Sequence, residues 1–251
     1  MMDARTFYDE LAGDYDALHA DWPQSVRRQG AVLDALIRTE LGDAPQRMLD
    51  CACGIGTQAI GLALRGHDVL ATDLSPAAVE RAAREAAGMG AELKTGVADF
   101  TRLPEQVEGA FACVLACDNA VAHLHDDEDL ARFAAGVAAK LEPGGLALAS
   151  VRDYAPLVAE RTPGHPVRVG PGTISFQVWD WDDDGRGYEL AQFTLRGQGE
   201  QWQTACRRTR LRALLRDELC GALSAAGLSD VRWRTPEETG YYQPIVTGRL
   251  R

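Results

Sequence analysis

The chain has 251 residues, a net charge of −11 and a pI near 4.9, with 46% hydrophobic and 25% charged residues. That length suffices for one sizeable core with an appended lid, and the composition is that of an ordinary globular protein. Nucleic-acid binders draw most of their affinity from cationic contacts to phosphate, so the acidic balance argues against DNA or RNA as a partner and leaves small molecules open.

Residues 1–44 read as an N-terminal helical cap. A short helix near 7–12 and an irregular turn near 15–18 lead into a helix over 24–41, where Val26, Leu33, Leu36, Ile37 and Leu41 form one stripe. Tyr8, Tyr15 and Trp22 either staple this cap to the core or line a ligand pocket. Leu49 and its apolar neighbours then predict a short buried strand. The run breaks at Gly54-x-Gly56, and a helix over 57–65 follows. Such a turn aims backbone N–H groups at a ligand, with glycines where the chain bends sharply and is approached closely. A second strand over 68–74 ends in Asp73-Leu74, where an acid can accept from both hydroxyls of an adenosine ribose.

A nucleoside cofactor is therefore expected. Gly54-x-Gly56-x-x-Ala59 also satisfies the dinucleotide fingerprint, but Asp50, four residues before the first glycine, would repel a pyrophosphate. The sulfonium and ammonium of S-adenosylmethionine suit an acidic, carbonyl-rich pocket better. At Leu49-Asp50-x-x-Cys53-Gly54-x-Gly56 and Asp73 the chain resembles the class I S-adenosylmethionine-dependent methyltransferases. The resemblance implies a Rossmann-like α/β sheet, mostly parallel with an antiparallel last strand, helices on both faces, and no metal. It also implies that Asp50, Cys51, Ala52, Gly54, Gly56, Asp73 and Leu74 hold the cofactor, with Tyr8 and Trp22 of the cap closing over it.

Alternating strands and helices over 45–152 predict that sheet independently. A third strand near 91–97 leads to Asp99-Phe100, to which the resemblance assigns the adenine amino group and ring. The fourth strand, 111–117, ends in Cys117-Asp118-Asn119; strand carboxyl ends form the ligand crevice, so Cys117 should meet the cofactor and Asp118 and Asn119 the substrate. His123 and His125 are candidate bases, although Asp126 to Asp129 read as a helix start, and no ligand geometry supports a metal. The fifth strand, 146–151, ends in Arg152-Asp153-Tyr154. Arg152 either binds a substrate carboxylate bidentately or pairs with Asp153 or Asp118. Asn119 through His123-Leu124, then Arg152-x-Tyr154, resembles the glycine and glycine/sarcosine N-methyltransferases. That implies Asn119 and Arg152 hold an amino-acid substrate, the arginine through its carboxylate; Tyr8, Tyr15 or Tyr242 are candidate pocket hydroxyls beside them, with His123 and Tyr154 as further site candidates.

Prolines 156, 163, 166 and 171 predict a stiff loop, followed by a hairpin over 173–181 and 188–195 and a third strand over 202–210. Together they make a β lid inserted over 154–211. Within it Ile174, Phe176 and Val178 share one face, while Gln177, Trp179 and Trp181 share the other. One face should seal the core and the other roof the site, where Trp179 and Trp181 would favour a sulfonium or cationic amine by cation–π attraction unless they serve only as lid packing. Asp180-x-Asp182-x-Asp184-Gly185 imitates a calcium loop, but Ala191 replaces the essential glutamate, so calcium is rejected. A helix over 216–226 and strands over 230–234 and 242–250 return the chain to the core. One domain results: cap 1–44, core 45–153 with 212–251, and lid 154–211. The six cysteines form no zinc spacing and read as reduced thiols; with no 18-residue apolar run or leader, the protein is expected in the cytoplasm, away from membranes.

The expected function is methyl transfer from S-adenosylmethionine to a small-molecule acceptor, favouring the nitrogen of a small amine or amino acid such as glycine or sarcosine. An O- or S-methyltransferase of a specialised metabolite, with His123 as base, is the alternative, and a non-catalytic cofactor-binding protein a third. Oligomeric state is left open.

Overall fold

The structure, a computed structural model, describes residues 3–251. Of the region expected as a cap, residues 1 and 2 lie outside the described part. α1 (Ala4–Leu11) is capped by the Asp3 carboxylate on the Thr6 N–H; a 3-10 turn (Tyr15–Leu18) follows, then α2 (Trp22–Leu41). Asp21 caps α2 and Pro23 occupies its first turn, where a missing N–H is harmless, so the helix begins ahead of residue 24.

Strands and helices then alternate: β1 (Arg47–Asp50), α3 (Thr57–Ala63), β2 (Asp68–Asp73), α4 (Pro76–Met89), β3 (Lys94–Val97), a short α5 (Leu103–Gln106), β4 (Phe111–Ala116), α6 (Asp127–Lys140), β5 (Leu141–Ser150) and α7 (Tyr154–Glu160). Four more strands follow, β6 (Gly164–Gly170), β7 (Thr173–Trp181), β8 (Gly187–Gln198) and β9 (Gln201–Arg212). The chain closes with α8 (Arg216–Ala225), β10 (Leu228–Arg234), a short α9 (Pro236–Thr239) and β11 (Ile245–Leu250).

The main sheet has the order β10-β11-β5-β4-β1-β2-β3. β5, β4, β1, β2 and β3 are parallel, and β11 enters antiparallel to β5, giving a Rossmann-like sheet with an antiparallel final strand. β4 shows why: Phe111, Cys113, Val114, Leu115 and Ala116 are all buried, the continuous apolar run of a strand covered on both faces. On one face Leu33 and Ile37 of α2 pack with Met48 and Leu148; on the other, Phe133 of α6 and Leu219 of α8 close the core. α2 and α3 touch backbone to backbone, since a Cβ at Gly61 would lie 2.5 Å from the Val26 carbonyl oxygen. The chain steps from β1 through β2 to β3 on one side, then crosses to β4 on the other. The resulting switch point leaves a crevice beyond the carboxyl ends of β1 and β4.

The second sheet is antiparallel, in the order β6-β7-β8-β9. The stretch expected as a stiff loop is instead α7 and edge strand β6. Pro156 falls in the first turn of α7, Pro166 at the register break of the outermost strand, and Pro171 in the β6–β7 turn. None of these positions owes a hydrogen bond to a neighbour. The pleat of β7 turns Ser175, Gln177, Trp179 and Trp181 toward the core and leaves Ile174, Phe176 and Val178 on the outer face, with Val178 exposed. Among the described residues no helix is long and apolar enough to cross a membrane.

Candidate active site

A cavity of about 580 Å³ opens beyond the carboxyl ends of β1, β2 and β4. Ala52 and Gly54 form one wall, Asp73 and Leu74 a second, Asp99 and Phe100 a third, with Cys117 beneath and Tyr8 of α1 above. Gly54 (φ +52°) and Gly56 (φ +91°) are both left-handed, the conformation glycine adopts without strain. A Cβ on Gly54 would project across the cavity toward the Tyr15 hydroxyl at 3.8 Å; one on Gly56 would strike Ile60 Cδ1 at 2.8 Å. The Gly54 N–H donates to Asp73 Oδ2 at 2.8 Å and the Ser75 N–H to Oδ1 at 2.9 Å, so the acid ending β2 also braces the glycine loop. Asp99 Oδ1 accepts from the Thr101 N–H (2.9 Å) and hydroxyl (2.7 Å), leaving Oδ2 without a protein donor. Phe100 is fixed edge-on against Phe133, with ring centroids 5.2 Å apart.

Four residues expected at the cofactor do not line this cavity: Asp50, Cys51, Gly56 and Trp22. Asp50 is fully buried under the loop. Its Oδ1 accepts from the Ala52 N–H at 3.2 Å, its Oδ2 has no partner, and burial pushes the carboxyl up to about 7. Cys51 Sγ donates to the Leu115 carbonyl. Trp22 Nε1 donates to Thr57 Oγ1 at 2.9 Å, and Thr57 is the residue that reaches the wall. The charges fit the sulfonium and ammonium of S-adenosylmethionine. Arg102 and Arg132 are held by Glu105 and Asp129, whereas Asp73, Asp99 and Asp118 face the cavity without an ion pair to any described residue. Such a wall repels a pyrophosphate.

A second cavity, about 260 Å³, lies between the cap, the loops after β4 and β5, and the second sheet. Tyr8, Tyr15, Asp118 and His123 line both cavities and form their shared wall. Asp118 (φ 59°) and Asn119 (φ 68°) are consecutive left-handed residues, a conformation that Asp and Asn tolerate best among residues with side chains. Ser150 of β5 holds them: its hydroxyl accepts from the Asp118 N–H at 2.7 Å and its carbonyl from the Asn119 N–H at 3.1 Å. The turned backbone aims the Asp118 carboxylate at the wall, where it accepts from Tyr15 (3.4 Å) and from Tyr242. His123 Nε2 and the Tyr8 hydroxyl pair at 3.0 Å. Burial, with help from His125 and Arg152, pushes His123 down to about 3, so the ring is neutral at pH 7.

Arg152 lines the second cavity, its guanidinium 5.1 Å from the Trp179 ring and 3.1 Å from the Tyr188 hydroxyl. No ion pair joins it to Asp153, Asp118 or any other described carboxylate. Burial alone would weaken its hold on the proton, yet Tyr188, Tyr154 and Asp118 around it raise its pKa. Asn119 lines the cavity too, but Oδ1 accepts from the Arg152 N–H (3.1 Å) and Nδ2 donates to the Tyr154 hydroxyl (2.9 Å), tying the loops after β4 and β5 together. Tyr154 itself is buried behind that wall. Trp179 and Trp181 support from behind, while Gln177, Leu190 and Gln192 supply the lid's share of the lining. His19, Arg28, Gln29 and Arg168 also line the cavity. The sequence reading passed over these four, which sit on cap and lid segments that no local pattern connects.

Residues 48–145 match a family model described as "Methyltransferase domain". A glycine/sarcosine N-methyltransferase of Parasynechococcus marenigrum (strain WH8102) is 29% identical over 168 residues, 67% of this chain and 57% of that relative. The match thus spans little more than half of the relative's length. Among solved structures, the CcbJ methyltransferase of Streptomyces caelestis superposes with a TM-score of 0.79 at 18% identity, covering 99% of both chains. A S-adenosylmethionine-dependent methyltransferase of Clostridium acetobutylicum ATCC 824 does so with a TM-score of 0.75 at 16% identity, covering 97% of this chain and 98% of that one.

Proposed function

We propose that the chain is a class I S-adenosylmethionine-dependent methyltransferase and that it methylates the nitrogen of a small amine bearing a carboxylate. The observation that carries this reading is the pair of cavities of opposite character meeting at Tyr8, Tyr15, Asp118 and His123, with the unpaired Arg152 in the second. S-adenosylmethionine supplies an electrophilic methyl group on a sulfonium. The chain's part is to align an acceptor nitrogen across the shared wall and exclude water, the main sources of rate in such a displacement.

Arg152 binds the acceptor carboxylate, for which a planar guanidinium is shaped. Asp118 takes the amine N–H, stabilises the positive charge that grows on nitrogen as the N–C bond forms and the C–S bond breaks, and receives the proton that nitrogen then releases. A neutral amine needs no stronger base. An oxygen acceptor would, and His123, neutral and depressed to about 3, is a poor carrier for that role. The N-methyltransferase named as a relative agrees with this preference at low identity.

The test is a mass-spectrometric methyl-transfer assay with S-adenosylmethionine against glycine, sarcosine, other amino acids, amines without a carboxylate, and hydroxy acids. N-methyl product from the carboxylate-bearing amines is expected. Product only from hydroxy acids, or cofactor binding with no product from any acceptor, refutes the reading.

A further inference from the structure

The second cavity carries more cationic and donor groups than one carboxylate needs. Asp118 is the only acid in its lining, against three arginines from three separate segments: Arg28 on α2, Arg152 after β5 and Arg168 on β6. None of the three forms an ion pair with a described residue; Arg152 is half-buried, while Arg28 and Arg168 line the cavity from exposed positions. His19 and His165 line the same cavity as the three arginines, and burial lowers the pKa of both rings. His19 Nε2 and His165 Nδ1 are buried without partners.

The amides add to this bias. Gln29 Oε1 accepts from Gln58 Nε2 (2.8 Å) and the Tyr241 hydroxyl (2.8 Å), leaving its NH2 as the free end; Gln243 Oε1 accepts from the Ser150 hydroxyl (3.3 Å), with the same result. Both residues line the cavity. At about 260 Å³ the space approaches the lower end of ligand pockets in general, roughly 300–1,000 Å³, and exceeds what the five non-hydrogen atoms of glycine fill.

We propose that the acceptor is a dianionic amine, whose nitrogen meets Asp118 and near carboxylate Arg152, and whose second anionic group, a carboxylate or a phosphate, sits between Arg28 and Arg168. This rests on the amine reading of the site and specifies its substrate class. A cavity lined mainly by cationic groups in an acidic protein concentrates such a ligand and rejects neutral analogues, whose hydroxyl or amide leaves the guanidinium groups without a counter-charge.

The test compares acceptors matched in size: glutamate with glutamine, and O-phosphoserine with serine. kcat/KM is read on the wild type and on an Arg28→Gln/Arg168→Gln double variant, and calorimetric affinity on the S-adenosylhomocysteine complex of each. In the wild type the anionic member of at least one pair should be preferred tenfold or more, and the variant should bring that ratio within about twofold. Preference in the first pair alone assigns a distal carboxylate, in the second a phosphate. Equal use of charged and neutral members, or a preference that survives in the variant, overturns the proposal while methylated glycine leaves the amine reading standing. Methylation of none of the amines overturns both.

Discussion

Arg152 and His123 stand in the same cavity with opposite electrostatic characters, and each makes a separable prediction. Removing Arg152 leaves a substrate carboxylate without its charged donor, a loss of about 2–3 kcal/mol, or roughly 30–150-fold. Arg152→Gln should therefore raise the acceptor KM by that factor with little change in affinity for S-adenosylhomocysteine, read by steady-state kinetics and calorimetry. An unchanged KM would remove the carboxylate assignment. His123, held near 3 by burial, does not titrate between pH 5.5 and 8. His123→Gln should lower kcat without moving the shape of its pH profile, because the variant removes the Tyr8 partner and no proton acceptor. If an inflection between pH 6 and 7 vanishes in the variant, the histidine is a base after all.

At the scale of elements, the cap is latched to the second sheet by ion pairs and to α4 by an ion pair and hydrogen bonds. Asp14, just before the 3-10 turn, accepts from Arg196 of β8 (2.6 Å) and Arg207 of β9 (2.8 Å), while Asp16 accepts from Arg81 of α4 (2.9 Å). Asp9 of α1 accepts from the Ser75 hydroxyl and the Ala77 N–H at the start of α4. Tyr8 and Tyr15 lie on the cap so tethered. A double-mutant cycle on Asp14→Ala and Arg207→Ala should give a coupling of about 1–2 kcal/mol in stability, and Asp14→Ala should weaken cofactor and acceptor together. Additive effects would mean the pair is incidental. This latch also shows where sequence reading ends. The glycine loop, Asp73 and the strand-ending Asp118 were legible because left-handed backbone and strand termini are local properties. Arg28, Arg168 and His19 were not, since they meet only when the second sheet folds down on the cap, far away along the chain. The prolines around β6 misled for the same reason: whether a missing N–H matters depends on whether the strand is an edge.

Across the whole molecule, buried titratable groups pull stability in two directions with pH. His123 (about 3) and His165 (about 4), with His19 and His125 also lowered by burial, are neutral in the fold. Their contribution is complete above the unfolded value near 6.5 and is lost as pH falls toward 4 and then 3. Asp50 does the reverse. Burial raises it from 3.8 to about 7, so its contribution is complete below 3.8 and drains away as pH rises through 7. Thermal stability of the protein without cofactor should therefore peak at mildly acidic to neutral pH. Asp50→Asn separates the two effects, since the amide cannot ionise. Its Tm relative to wild type should climb between pH 5 and 8, by the equivalent of up to about 2–3 kcal/mol or several degrees. Calorimetric scans of both proteins at half-unit pH steps measure this, and a constant difference across the range would show that Asp50 ionises in the fold as freely as in water. Because Asp50 lies directly beneath the Gly54–Gly56 loop, the slope also reports how dry the ground under the larger cavity is, a property that lining residues alone do not reveal.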